Sequence, residues 1–350
     1  MNQTEPSELG YNHQPEAISD ARKAAAAWGL YVQLGSEVYS KANSERTKTG
    51  EIKVSYLGEA DHRIALVAQI RVDKVGNAVS GHEFDPNAES NKDIEAEFSR
   101  YIQQTPKDQQ FVIAEGLMQP EICVDRDDAI TMRSDSGLTQ WLAGQKGVPI
   151  TSGEPADEEI TAELAGQGVG QADLATHYIV RGFASGQLRQ AGWQERIGGS
   201  MYYAAAQAGL DGFRLFGEQE KQAIRARGDD GSVMQAIETA AESLVPAVNE
   251  AVRDQLGGDL LEVGVGQIQL AIPNVDIANL EAALLSMVDP TRDGELSRIG
   301  KLVSTARDKA VYNKILDAYR SGKSPFVVYG GSHIVCIEPA LQAYFDSETA

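Results

Sequence analysis

Four short segments of the chain place a reactive side chain next to glycine. They read Glu115-Gly116, Gly153-Glu154, Gly330-Gly331-Ser332-His333 and, after an early apolar segment, Gly81-His82. Glutamate and histidine serve as general acids and bases, and together they bind divalent metals of hard to intermediate character. A metal would lower the pKa of bound water and polarise a carbonyl or phosphoryl oxygen. Without a metal, one glutamate could act as the base while His333 or Arg307 stabilises developing negative charge.

Each of these residues also has a purely structural interpretation. Glu115 could cap the turn that follows it, and Glu154 could be an exposed residue at the start of a helix, where the helix dipole favours a negative charge. Arg307 could form a surface ion pair with Asp308 or Asp317. His333 could be a loop histidine without a special role.

The elements that must position these side chains are apolar runs that end where the polar residues begin. The run Pro325–Tyr329 is typical of a strand buried on both faces, and Phe111–Ala114, 63–73 and the short segment 148–155 have similar patterns. A helix is predicted over 92–104 by its four-residue apolar spacing. This strand–helix–strand order predicts a parallel sheet, whose strand ends meet at one edge.

The predicted fold is therefore α/β, with a mixed, mostly parallel central sheet flanked by helices and a large helical insertion or cap. Residues 1–50 are predicted to be a tail and a helix, and 51–350 a single α/β domain with a helical subdomain at about 186–300. Residues 305–319 are predicted to form a helix that begins near Arg307 and leads into the last strand.

Composition excludes several classes of function. The net charge of -20 argues against nucleic acid as a partner, and no apolar run reaches the roughly 18 residues of a membrane span. The polar start of the chain does not resemble a secretory signal, and Cys123 and Cys336 are expected to be free buried thiols. We therefore expect a cytoplasmic protein with a small-molecule or peptide substrate, able to form a homo-oligomer.

Other candidate motifs point to structure rather than chemistry. The segment 166–170 follows a predicted helix, so it does not fit a dinucleotide-binding fingerprint. The acidic segment 125–128 lacks the glycine and final glutamate of a calcium loop and is predicted to be a solvated loop, followed by a short helix around 138–142. His62 is expected in a solvated hairpin turn, and His177 on a helix as a packing or surface residue.

The C-terminal arrangement resembles the end of the TraB/Tiki proteins. In this chain it consists of Arg307 on a helix, the strand Phe326–Tyr329 and the turn Gly330-Gly331-Ser332-His333. These proteins belong to a superfamily with the erythromycin esterases and ChaN-like proteins, whose members share an early Gly-x-x-His strand end and two later glutamates. Glu115 resembles the first glutamate and Glu154 the second. The resemblance covers residues 51–155 and 300–345.

This resemblance implies a hydrolase-like α/β fold, with metal-dependent proteolysis in Tiki proteins, ester hydrolysis in erythromycin esterases and haem binding in ChaN. It implies that His82, Glu115, Glu154 and His333 bind a divalent Mn, Zn or Co ion, and that Gly330, Gly331 and Ser332 let a ligand approach. The chain departs from the early motif, because Ala68-Gln69-Ile70-Arg71 stands where Gly-x-x-His is expected. Either His82 replaces that histidine or Arg71 marks its loss.

The leading hypothesis is a hydrolase of peptide, ester or related bonds. Glu115 and Glu154 would be bases or metal ligands, His333 a ligand or acid/base, and Arg307 an oxyanion or substrate clamp. The alternative is a non-catalytic ligand-binding or interaction protein that keeps the fold and has lost the metal site, which Arg71 favours. A third possibility is a structural component of a larger cytoplasmic assembly.

Overall fold

The computed structural model describes most of the chain after residue 51. The described residues are 28, 52–59, 62–69, 85–117, 125–186, 188, 197–210, 238–265, 267–272, 276–290 and 292–347. The predicted N-terminal tail and helix, apart from Trp28, lie outside the described residues, as do Arg71, His82 and Cys123. Trp28 is helical, and its ring packs against Tyr312.

Seven strands and the helices between them follow one another along the described chain. They are β1 (Lys53–Glu59), β2 (His62–Gln69), α1 (Glu89–Gln104), β3 (Gln110–Ala114), α2 (Arg126–Lys146), β4 (Ile150–Ser152), α3 (Asp157–Gly166), α4 (Gln171–Ala184), α5 (Ile197–Gln207), α6 (Val245–Leu256), β5 (Leu261–Val263), β6 (Ile268–Leu270), α7 (Ile277–Val288), α8 (Glu295–Arg320), β7 (Ser324–Gly330) and α9 (Gly331–Asp346).

The central sheet has five strands in the order β1-β2-β7-β3-β4. β1 pairs antiparallel with β2, and the remaining three pairings are parallel. The predicted mixed, mostly parallel α/β fold is confirmed. Gln69 pairs with Gly330, and Ala114 pairs with Ser152, so the carboxyl ends of β2, β3, β4 and β7 lie at the same edge. β5 and β6 form a separate antiparallel pair.

The sheet is covered on both faces because its strands are apolar on both sides. One face packs against α1 and α2 through residues such as Phe98, Val112 and Phe326. The other packs against α9 and the second half of α8 through residues such as Ile113, Ile315 and Val327. Removal of these side chains from water is the main contribution that holds the helices on the sheet.

A third apolar core lies among the helices of the middle region. It draws buried side chains from the span between Ile160 and Ala306. The first half of α8 belongs to this core, and its second half belongs to the sheet. At 26 residues, α8 is about 39 Å long, enough to span both layers.

Three local predictions need correction. α8 begins at Glu295 rather than near residue 305, so Arg307 lies in the middle of the helix. The acidic segment 125–128 is the start of α2, where Asp125 caps the helix by accepting a hydrogen bond from the backbone N–H of Asp128. α2 is longer than the predicted helix at 138–142 and is kinked at Arg133 and Ser134.

Among the helices in the described part of the chain, none combines the length and apolar character needed to cross a membrane.

Candidate functional site

The structure brings three of the predicted residues into direct contact at the carboxyl edge of the sheet. Glu115 follows β3 directly, Glu154 lies two residues after β4, and Arg307 extends from the middle of α8 to both. Nε of Arg307 donates to Oε2 of Glu154 at 2.8 Å, and Nη2 donates to Oε1 of Glu154 and, at 3.3 Å, to Oε1 of Glu115. The two-pronged contact with Glu154 matches the fork of a guanidinium to the two oxygens of a carboxylate.

Burial and charge act in opposite directions on this group. Burial alone would lower the pKa of Arg307, but the charges of Glu154 and Glu115 and the hydrogen bonds to Glu154 outweigh it and raise the pKa. Burial alone would raise the pKa of Glu154, but Arg307 outweighs it and lowers the pKa below its ordinary value. Glu154 is therefore ionised at neutral pH and is better suited to hold Arg307 than to accept a proton.

Tyr329, on β7, completes this group although its role is not predicted from the sequence. Its hydroxyl donates to Oε1 of Glu154 at 2.6 Å, and burial, together with the charge of Glu154, raises the pKa of the phenol. The ring lies against Gly153, where an added Cβ would come within 2.5 Å of Cε2 of Tyr329. Glycine at 153 therefore makes room for the ring that reaches Glu154.

Lys314 is a second residue that sequence reasoning missed. Lys314 lies about two turns after Arg307 on α8. Its Nζ donates to the carbonyl oxygens of Ser152 at 3.1 Å and Glu154 at 2.6 Å. Arg307 thus binds the side chain of Glu154 while Lys314 binds its backbone. The signal in the sequence was their shared spacing on one helix, which places both near the same face.

Glu115 also binds the glycine-rich turn. The backbone N–H of Gly330 donates to Oε2 of Glu115 at 3.1 Å. Two residues that were expected to bind a ligand or metal therefore bind each other. Gly331 begins α9, and Ser332 lies in its first turn; the side chain of Ser332 is outside what the structure describes.

His333 lies beside this group in the first turn of α9. It pairs with Asp308, one of the two residues that the sequence suggests as partners of Arg307. Its Nδ1 is 2.5 Å from Oδ1 of Asp308, whose side chain is only 2% exposed, and its ring packs edge-on against Tyr329 with 5.6 Å between centroids. Asp308 was considered as a partner of Arg307, but it binds His333. Asp317, the other candidate, pairs with Arg320.

Nε2 of His333 has no hydrogen bond to any residue that the structure describes, and the His333 side chain is 14% exposed. An ionised Asp308 carboxylate accepts hydrogen bonds but has no proton to donate. The proton of a neutral His333 paired with it therefore belongs on Nδ1. Nε2 is then an open acceptor. The arrangement provides an oriented imidazole next to a charged, largely buried ion-pair network.

The residues described at this edge do not by themselves form a site for the predicted divalent metal. Both glutamates face the guanidinium of Arg307, which already supplies positive charge between them. Within the described ranges, no group of three or more histidine, cysteine, aspartate or glutamate side chains is arranged to hold a metal ion. His82, the fourth predicted ligand, lies outside those ranges.

Two other histidines have structural contacts. His62 flanks the predicted hairpin as the first residue of β2, opposite Glu59 on β1. Its ring is not simply solvated, because Nε2 is 2.8 Å from the carbonyl oxygen of Lys323 and the ring stacks on Tyr319. His177 is buried in the helical core, with Nδ1 3.1 Å from the carbonyl oxygen of Leu296. Burial lowers the pKa of His177 to about 3, so it is a neutral packing residue.

Comparison of the chain with protein-family models, with curated proteins and with solved structures found no match in any of the three.

Proposed function

We propose that the protein hydrolyses an ester, peptide or related acyl bond, with His333 as the general base and acid. The observation that carries this proposal is the contact between His333 Nδ1 and the buried carboxylate of Asp308, which leaves Nε2 open. A carboxylate behind an imidazole fixes its tautomer and stabilises the imidazolium that forms during proton transfer. Packing of the Tyr329 ring further restricts the orientation of His333.

In the proposed reaction, Nε2 of His333 accepts a proton from a water molecule whose oxygen attacks the substrate carbonyl carbon. The carbonyl π bond breaks and its electron pair moves to oxygen, giving a tetrahedral oxyanion. When the bond to the leaving group breaks, the imidazolium returns the proton to the departing oxygen or nitrogen. A positioned base and acid of this kind contributes about 10² to 10⁴ in rate.

Arg307 is the proposed donor to the oxyanion. Its Nη1 has no hydrogen bond within the described residues, while Nε and Nη2 are held by the two glutamates, and the side chain is 14% exposed. Glu115 and Glu154 therefore act in this proposal by fixing the guanidinium, a different role from the base or metal ligand expected from the sequence. Donors held rigidly toward developing charge stabilise a transition state more than mobile ones.

The resemblance to the TraB/Tiki proteins and the erythromycin esterases supports the same class of reaction. It also implies a metal; the proposed steps use protein side chains only, because Arg307 supplies a positive charge between Glu115 and Glu154. A cytoplasmic location, a small-molecule or peptide substrate and a homo-oligomeric state remain predictions.

A non-catalytic binding or interaction protein is the second candidate. One observation favours it: the charge of Arg307 is matched by two carboxylates, and this network by itself joins β3, β4 and α8. In that case the ion pairs stabilise the fold, and His333 contributes to binding alone.

Hydrolysis of p-nitrophenyl acetate and of a fluorogenic peptide mixture, measured with and without a chelator, tests the proposal. We expect turnover above the buffer rate that survives chelation and falls at least about tenfold in His333→Ala, with His62→Gln as the control histidine. Absence of turnover for every ester and peptide tried, or equal turnover in His333→Ala, would reject hydrolysis by His333. Loss of turnover on chelation would instead show that a bound metal takes part in the reaction.

A further inference from the structure

An arginine that the proposed reaction does not use lies beside the site. Arg133 is at the kink of α2, where Ser134 has φ 53° and ψ -133°. Ser134 is the only non-glycine residue with positive φ in the described part of the chain. Such backbone geometry costs about 1–3 kcal/mol and persists only where the surrounding structure enforces it. Arg133 therefore lies at a bend in the helix backbone, and its side chain is exposed there.

The contact of Arg133 places it at the end of β3. Its Nη1 is 3.8 Å from the position that a Cβ on Gly116 would occupy, and Gly116 immediately follows Glu115. Gly116 has φ 68°, a conformation that favours glycine, so the strand turns sharply where the guanidinium lies. Arg133 therefore borders the same strand end that carries Glu115.

Among the arginines that the structure describes, Arg133 differs from the others because it has no partner in the described residues. It makes no ion pair or hydrogen bond within the described residues, although the chain has 51 acidic and 31 basic side chains. All the other described arginines have an interaction with a neighbouring group: Arg63, Arg100, Arg126, Arg181, Arg253, Arg292, Arg298, Arg307 and Arg320. Its side chain is exposed, so its donors are open to a ligand.

We propose that Arg133 is a specificity residue that binds a carboxylate or phosphate group of the substrate. A guanidinium binds either group through two parallel hydrogen bonds, and both present the same paired oxygens. This inference rests on the proposed hydrolysis, and it adds that the substrate carries a negative charge near the bond that breaks. The nearby Glu115, Glu154 and Asp308 would otherwise disfavour such a substrate, and Arg133 offsets part of that charge.

Binding of simple anions tests Arg133 without requiring catalysis. Isothermal titration calorimetry with succinate and, separately, with inorganic phosphate would be compared in the wild-type protein, Arg133→Gln, Arg133→Lys and the control Arg298→Gln. We expect one of the two anions to bind the wild type, about tenfold or more weaker binding in Arg133→Gln, partial loss in Arg133→Lys and no change in the control. Binding of neither anion, or equal binding in Arg133→Gln, overturns the proposal. Circular dichroism checks that each variant is folded.

Turnover separates this inference from the proposed function. Two p-nitrophenyl esters that differ only in a terminal carboxylate would be compared. We expect Arg133→Gln to lower kcat/KM about tenfold for the anionic ester and to leave the neutral ester unchanged. Anion binding that depends on Arg133, with neither ester hydrolysed, would retain the subsite and reject hydrolysis. Hydrolysis of both esters with equal kcat/KM in Arg133→Gln would retain hydrolysis and reject the subsite.

Discussion

His333 and Asp308 lie 2.5 Å apart, Nδ1 to Oδ1, and their contact joins the middle of α8 to the first turn of α9. The Asp308 side chain is almost inaccessible to water, so its carboxylate acts on the imidazole rather than on the solvent. Arg307, the preceding residue on α8, faces Glu115 and Glu154 instead. Two adjacent residues of one helix thus organise the two halves of the candidate site.

Asp308→Asn tests the role of this carboxylate. The substitution keeps the size of the side chain but removes its charge, so it no longer favours the tautomer with an open Nε2. We expect kcat for ester hydrolysis to fall by about 10² to 10⁴. Asp317→Asn, at an exposed position paired with Arg320, is the control and should retain activity. Unchanged kcat in Asp308→Asn would show that the pair is structural.

Glu154→Gln tests the ion-pair network. The variant leaves the largely buried guanidinium of Arg307 with Glu115 as its remaining charged partner. Loss of one partner from a buried pair costs about 3–5 kcal/mol, and because Glu154 is partly exposed we expect about 2–3 kcal/mol. Urea unfolding measures this loss. Glu163→Gln removes the more exposed pair with Lys309 and should cost less than about 1 kcal/mol. Equal losses in the two variants would contradict a special role for Arg307.

Gly153→Ala tests the space that Tyr329 needs. A Cβ at this position would lie 2.5 Å from the ring, so the ring must move and its hydrogen bond to Glu154 must weaken. We expect a loss of about 1–3 kcal/mol in the free energy of unfolding. Gly144→Ala, in open space on α2, should be neutral or more stable by up to about 1 kcal/mol. A stable Gly153→Ala protein with unchanged activity would argue against the packing described.

His177 predicts a dependence of stability on pH. Its pKa is near 6.5 when the chain is unfolded and about 3 when it is buried and folded, so the unfolded state binds more protons between these values. Stability from this residue is therefore complete above pH 6.5 and decreases as the pH falls toward 3, by about 2 kcal/mol at pH 5. His177→Leu should remove this part of the slope, which urea unfolding at several pH values measures. An unchanged slope would show that His177 titrates normally.

Much of the sheet was predictable because its information is local. The apolar runs, their flanking glycines and the helix between two of them indicate strands of a parallel sheet whose ends share an edge, and β3, β4 and β7 match those runs. Glu115, Glu154 and His333 could be selected for the same reason, since each follows such a run, and Arg307 because it lies on the predicted helix before the last strand. The residue type and the position along an element are both visible in the sequence.

What each side chain contacts was not predictable, because it depends on residues far apart in the chain. β7 inserts between β2 and β3, and α8 starts earlier than its C-terminal pattern suggested, so Asp308 faces His333 rather than Arg307 or the solvent. Tyr329 and Lys314 join the site only through contacts across more than a hundred residues of sequence.

The sequence by itself determined the α/β class, the strands of the parallel sheet and the candidate residues, because periodicity, turn chemistry and apolar runs act over a few neighbouring residues. The tertiary structure decided that Arg307 lies between Glu115 and Glu154, and that Asp308 orients His333. Those outcomes depend on the packing of one long helix against strands from both ends of the chain, and short sequence patterns carry no information about that packing.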